Sequence, residues 1–196
     1  MSGETHGRVS PHVLFALAGI QAGVLGGIVM VAWLALSSAL LGRSPWILPN
    51  LAASVLYRRA VLWGGFGMPT LAGIAVVVML AGVIGLAFAM LIGAYANRAR
   101  VVLLAILAGL VWYYFSHALF WDRLGVLAGI HVSPLATMSG HLLYGLVLGQ
   151  YPRRLDVLRR QFWEGTAGTV MPGESETAAA PDAEDTPGTP PGSMIE

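Results

Sequence analysis

The sequence contains no cysteine and no lysine, and its long apolar stretches contain no charged residue. Without cysteine there is no disulfide, no iron–sulfur cluster, no thiolate metal site and no cysteine nucleophile. Without lysine every basic side chain is an arginine, eleven in all. We read this mainly as the codon usage of a GC-rich genome rather than a need for guanidinium chemistry. Charged residues make up only 11% of the 196 residues, against roughly a quarter in soluble domains. That is too little charge to coat a soluble fold of this size, and what there is lies gathered at a few places.

The gathering is lopsided. Six of the ten acids (Glu174, Glu176, Asp182, Glu184, Asp185 and Glu196) lie near the C-terminal end. Ahead of them, eleven arginines face only Glu4, Asp122, Asp156 and Glu164, so the formal net charge of +1 conceals a body of +7.

Between the charges run the apolar stretches. Residues 13–41 carry no charge, and Gln21 is the only strongly polar side chain there before Ser37 and Ser38. About 20 apolar residues cross a hydrocarbon core, so this stretch spans with tilt to spare. It is too long for a signal-peptide core and lacks a convincing cleavage site, and we expect a retained helix. Residues 70–95 and 101–121 form the second and third expected spans, joined by a basic turn at Asn97, Arg98 and Arg100. Asp122–Arg123 mark the far end of the third. Residues 124–150 are again uncharged, but Pro134 divides them. We expect 124–133 to be a short interfacial or re-entrant piece and 134–151 to be the fourth span, with proline suited to the first helical turn.

Residues 42–69 read differently. Pro45, Pro49 and Pro69 punctuate them, and Arg58–Arg59 forbid a simple span. Asn50, Ser54 and Arg58 follow one another at i+4, with Leu51, Val55 and Leu62 on another side. With Trp46, Tyr57 and Trp63 nearby, the pattern predicts a helix lying in the membrane interface.

After the last span, Leu155, Leu158 and Phe162 recur at i, i+3 and i+7 among Arg153, Arg154, Arg159 and Arg160. This predicts a basic amphipathic helix over 152–164, suited to anionic lipid headgroups rather than nucleic acid because it directly follows a span. Residues 165–196, rich in Gly, Pro, Thr, Ala and acids without periodicity, are expected to be a disordered acidic tail. The expected architecture is therefore an all-α polytopic bundle of about four transmembrane helices over residues 1–151, with interfacial helices. Seven arginines (Arg8, Arg98, Arg100, Arg153, Arg154, Arg159 and Arg160) fall on one side and four (Arg43, Arg58, Arg59 and Arg123) on the other. That bias places both termini in the cytoplasm.

Small residues mark expected packing faces. Gly19, Gly23 and Gly27 form a doubled GxxxG in the first span; Ala81, Gly85, Ala89 and Gly93 repeat the spacing in the second. Gly145 and Gly149 continue the row Ser133, Thr137 and His141 in the fourth. Lipid tails are as apolar as leucine, so helices associate there by close approach, which small residues permit. These rows hold the chain's own helices together, or one of them, foremost that of the first span, docks a second copy or a partner membrane subunit.

The spans lack Asp, Glu, Lys and Arg, whereas carriers, pumps and voltage sensors normally keep an ionisable residue on their pathway. Histidine is the remaining candidate. His141 lies roughly 15 Å from the inner end of its helix, near the depth of Gln21, and the two are expected to be a buried, hydrogen-bonded pair if the first and fourth spans touch. His117 follows Ala105, Gly109 and Tyr113 at i+4. If it faces His141, the two rings form the minimum set for a six-coordinate haem or a pigment metal, with His131 as a third ring for a metal near the outer surface. The bland reading makes His141 a packing-register residue, Tyr113, Tyr114 and Trp112 core filling, and His6 and His12 interfacial. Ser116–His117 and Ser139–His141 lack a nearby membrane carboxylate and a nucleophile elbow. No phosphate loop, zinc-protease motif or nucleic-acid motif is present.

The segment Ser139-Gly-His-Leu-Leu-Tyr-Gly-Leu-Val-Leu-Gly-Gln-Tyr-Pro-Arg-Arg-Leu-Asp156, together with the pairs Ala18-Gly19 and Ala22-Gly23, resembles the small YagU-like bacterial inner-membrane proteins. The resemblance implies a four-span bundle with a Gly-His-Leu segment leading into an Arg-Arg exit. It does not extend to the acidic tail or the first outer loop, and it implies no particular activity. The sequence thus leads us to expect a non-enzymatic scaffold, assembly or accessory subunit of a cytoplasmic-membrane complex. A haem- or pigment-binding subunit using His117 and His141 is the second reading, and a small-solute carrier or channel the third.

Overall fold

The computed structural model describes residues 10–57, 64–94, 97–118 and 133–167, and among these every regular element is a helix. In chain order they are α1 (Pro11–Leu40), α2 (Ile47–Ala53), α3 (Met68–Ile92), α4 (Arg98–Ser116), α5 (Pro134–Leu148) and α6 (Tyr151–Ala167). The expectations for His6, Arg8, Arg58, Arg59, Asp122, Arg123, His131, the 124–132 piece and the tail beyond 167 lie outside the described residues.

Local chemistry sets the helix ends. Proline stands in the first turn of α1, α3 and α5, where a missing N–H removes no helical bond. Asn97 caps α4, its side-chain oxygen accepting from the N–H groups of Ala99 and Arg100 at 3.1 and 3.3 Å. Gly93 ends α3 at φ +58°, a backbone state that costs glycine little. It was expected to extend a packing row. Instead nothing lies within 4 Å of where its Cβ would stand, because its role is to turn the chain.

Among the described residues, three helices are long and apolar enough to cross a membrane: α1, α3 and α4. At 1.5 Å per residue they measure about 45, 38 and 29 Å, against a hydrocarbon core of about 30 Å. The fourth expected span is shorter. Helix α5 has 15 residues and is about 22 Å long. A turn at Gly149–Gln150 separates it from α6. The surface helix predicted over 152–164 starts one residue earlier and runs on to Ala167, so its last turn takes in 165–167, which the composition assigns to the tail.

Glycine contacts give the direction of each pair. Gly19 abuts Ala89 and Gly85, Gly23 abuts Ala81 and Gly85, and Gly27 abuts Ala81, so α1 and α3 run antiparallel with their small rows in register. Gly109 meets His141, Gly145 meets Ala105 and Gly149 meets Val102, so α4 and α5 are also antiparallel. Gly26 meets Tyr144, and Gly140 meets Met30 and Leu34, which sets α5 against the other flank of α1. The helices therefore form a row, α3–α1–α5–α4, whose two ends, α3 and α4, hardly touch.

Side-chain hydrogen bonds pin this row. Tyr144, fully buried on α5, passes the flat surface at Gly26 and donates its hydroxyl to the Ala81 carbonyl of α3 at 2.9 Å. The Trp33 indole N–H on α1 is shared between Ser139 Oγ at 2.9 Å and the Ala136 carbonyl at 3.1 Å. Outward faces carry large apolar side chains, among them Leu91, Met79, Leu103 and Val111. Such a surface suits lipid better than water.

Helix α2 does not turn its polar row outward. It is tucked against α3, where Gly73 has no Cβ to block the Pro49 carbonyl. Asn50 is buried, contrary to an outward polar row with Ser54: it accepts from Thr70 Oγ1 at 2.7 Å and donates to the Gly65 carbonyl at 3.2 Å. Thr70 Oγ1 also accepts from the Gly67 N–H at 3.1 Å. Satisfying these loop carbonyls and the hydroxyl inside the bundle outweighs exposing the amide. Val55, expected on the apolar side, is exposed.

Candidate functional site

The gap left by the open ends of the row is partly filled by α2, and what remains is a half-open cavity of about 160 Å³. Its wall is mainly apolar, with Leu34 from α1, Ala52 from α2 and Val77 from α3. Polar atoms gather on one side, where Trp112 and Ser116 of α4 meet Thr137 and His141 of α5. Two of these hydroxyls are already used within their own helices: Ser116 Oγ donates to the Tyr113 carbonyl at 2.9 Å and Thr137 Oγ1 to the Ser133 carbonyl at 3.0 Å. Both are part-buried.

His141 is buried, with 5% of its surface exposed. Its Nδ1 lies 2.8 Å from the Thr137 carbonyl. A carbonyl can only accept, so Nδ1 carries the proton and donates. In the neutral ring Nε2 then bears the lone pair. The Tyr113 ring packs edge-on against His141 at 5.4 Å between centroids, and it also packs against His117 at 5.8 Å.

These placements separate residues that the sequence suggested together. Gln21 is exposed and does not pair with His141, although α1 and α5 do pack. Two residues on a helix turn the direction by about 200°, so with Gly19 and Gly23 against α3, Gln21 points away from the bundle. His117 and His141 share Tyr113 as a neighbour, and only His141 lines the cavity. A haem needs a flat slot between two imidazoles. Here the Tyr113 ring packs against both imidazoles, and the cavity of about 160 Å³ that His141 lines is smaller than a porphyrin. Among the described residues no cluster of three metal-ligating side chains occurs.

At the opposite end, α6 is docked rather than free. Leu155 and Leu158 are buried against the bundle, and Arg98 pairs with Asp156 at 3.1 Å. Tyr151 donates to the Gly93 carbonyl at 3.0 Å, and the Arg159 guanidinium lies 6.0 Å above the Phe15 ring. Arg153, Arg154 and Arg160 are exposed, whereas Arg159 is half-buried. Phe162, expected on the apolar face, is 42% exposed.

Sequence reasoning missed Tyr144, Trp33, Gly26 and the cavity. The signal for Tyr144 was present: a tyrosine inside an apolar run needs a hydroxyl partner, and a glycine on a facing helix leaves room for its ring. No protein-family model matches the chain, and comparison with curated proteins and with solved structures gave no match.

Proposed function

We propose that this chain is a non-enzymatic scaffold, assembly or accessory subunit of the bacterial cytoplasmic membrane, crossing it four times with both termini in the cytoplasm. The observation that carries this reading is the docking of α6. Its leucines are held on the bundle while Arg153, Arg154 and Arg160 stay exposed, and a cationic group there beside Arg98 and Arg100 suits lipid headgroups. The polar groups of the bundle support it too, since Trp33 and Tyr144 spend their hydrogen bonds on neighbouring helices and Ser37 and Ser38 theirs within α1. The antiparallel run of α5 beside both α1 and α4 supports a fourth crossing despite its length, and the resemblance of residues 139–156 to the YagU-like proteins is a second support for that topology.

The native chain has no cysteine, so single introduced cysteines report topology cleanly. An impermeant maleimide applied to intact spheroplasts should label Met68→Cys, which is exposed at the outer end, and should reach Arg154→Cys only after lysis. Reversed labelling overturns the orientation. The accessory role is tested by native purification in two mild detergents followed by mass spectrometry. A partner subunit or a second copy at fixed stoichiometry in both is the expected result, and a single chain with no stoichiometric companion overturns it.

A further inference from the structure

We propose that the cavity beneath α2 is a binding site for a small, neutral, lipid-soluble molecule bearing one hydroxyl, with a phenol as the best-fitting class. Three observations meet there. The wall is apolar over most of its area and the cavity holds about 160 Å³, a size at which apolar protein cavities of about 150 Å³ accept a benzene-sized guest. The space is half-open, so a guest dissolved in the bilayer has a way in. The polar corner offers a strong nitrogen acceptor: His141 is 95% buried, since 5% of its surface is exposed, and its Nδ1 proton is committed to the Thr137 carbonyl. Nε2 makes no hydrogen bond among the described residues. The hydroxyls of Ser116 and Thr137 beside it already donate to backbone carbonyls.

An acceptor that faces a mainly apolar space without a donor is unfavourable. A guest that donates one hydrogen bond and is otherwise apolar relieves that cost and fills the space. A carboxylate or phosphate is disfavoured, because its charge would meet the Nε2 lone pair with no cation on the wall among the described residues. The site therefore selects a neutral donor. This inference goes beyond the accessory role and does not depend on it.

The test uses the full chain in lipid nanodiscs, with protein-free nanodiscs as the partition blank, titrated calorimetrically with p-cresol and with toluene. The two probes differ by the hydroxyl alone. Referred to the probe dissolved in lipid, p-cresol should saturate one site per chain and bind about fivefold more tightly than toluene, the worth of one hydrogen bond. His141→Leu should remove that preference while leaving both probes bound. The variant should fold, because the Thr137 carbonyl keeps its helical bond from the residue-141 N–H. Ala52→Phe, which fills the cavity and leaves His141 in place, should abolish binding of both. Equal affinity for the two probes, a titration that never saturates, or unchanged binding in Ala52→Phe overturns the proposal.

Discussion

In the half of the bundle nearer α6, the inner half of the proposed topology, α1 touches α3 and α5 touches α4 backbone to backbone, while in the outer half α1 meets α5 through side chains and hydrogen bonds, and the close backbone approach there is that of α2 to α3 at Gly73. Gly19, Gly23 and Gly27 against Ala81, Gly85 and Ala89, with Gly145 against α4, leave no room for a single added carbon, and Gly149 sits tightly on Val102. Outward from Met30 the contacts pass to larger side chains, and the stitching to Trp33–Ser139, Asn50–Thr70 and Ser44–Gly64. In lipid there is little hydrophobic drive between helices, so each half must find another source of cohesion. The inner half adds to its bonds from Tyr144 and Tyr151 a long seam of short-range dispersion, which admits no vacancy. The outer half relies on directional bonds, which tolerate one. The cavity lies in the half where that tolerance exists.

The contrast breaks most severely at Gly85. A Cβ there would overlap the Gly19 carbonyl and crowd Gly23, and both are backbone atoms that cannot swing aside. Gly85→Leu should force α1 and α3 apart and cost about 3 kcal/mol or more. It should be read as lost monodisperse yield and a lowered midpoint of thermal unfolding in detergent. A variant of near-native stability would mean that the seam is not in close contact.

The outer half should fail locally instead. Asn50→Ala leaves Thr70 and the Gly65 carbonyl without their amide partner, an expected loss of about 2 kcal/mol. Hydrogen exchange should quicken through α2 and residues 64–67 while residues 81–89 keep their protection. Equal quickening in both places would show that the halves are one cooperative unit. Tyr144→Phe joins the two regimes. It keeps the ring against Gly26 and removes only the bond to the Ala81 carbonyl, which retains its helical partner, so the expected loss is about 1 kcal/mol in thermal unfolding. A loss as large as that of Gly85→Leu would make the hydroxyl, rather than the flat glycine surface, the main tie between α5 and α3.

Much of the inner half was legible in the sequence and much of the outer half was not, for a physical reason. Charge-free length shows where a helix crosses, and glycines four apart show where it presses, because both signals are local. Rotation is not local. Gly26 and Gly27 stand side by side on α1, and each begins a usable face, one toward α5 and one toward α3. The glycines alone do not say which flank meets which helix, and that choice sets where Gln21 points. Gly93 has the spacing of a packing residue but the conformation of a cap, which only φ reveals. Asn50 has the spacing of a wet face, yet its partner is Thr70, twenty residues away. The cavity belongs to five elements at once and has no signature in any one of them.

Gln21 gives the smallest expected effect and the finest check on that rotation. Its side chain is exposed on α1, opposite the seam with α3. In lipid an amide with no partner is unfavourable, so Gln21→Leu should leave the isolated chain within about 0.5 kcal/mol of its original stability, or slightly above it. Phenol binding at His141 should be unchanged as well, because no contact links the two residues. A destabilisation above about 1 kcal/mol is the size expected when a satisfied hydrogen bond is removed. In a monomer that loss would turn α1 toward α5 and restore the pairing with His141. In a dimer the loss would depend on protein concentration, and it would make the outward face of α1 a contact between copies.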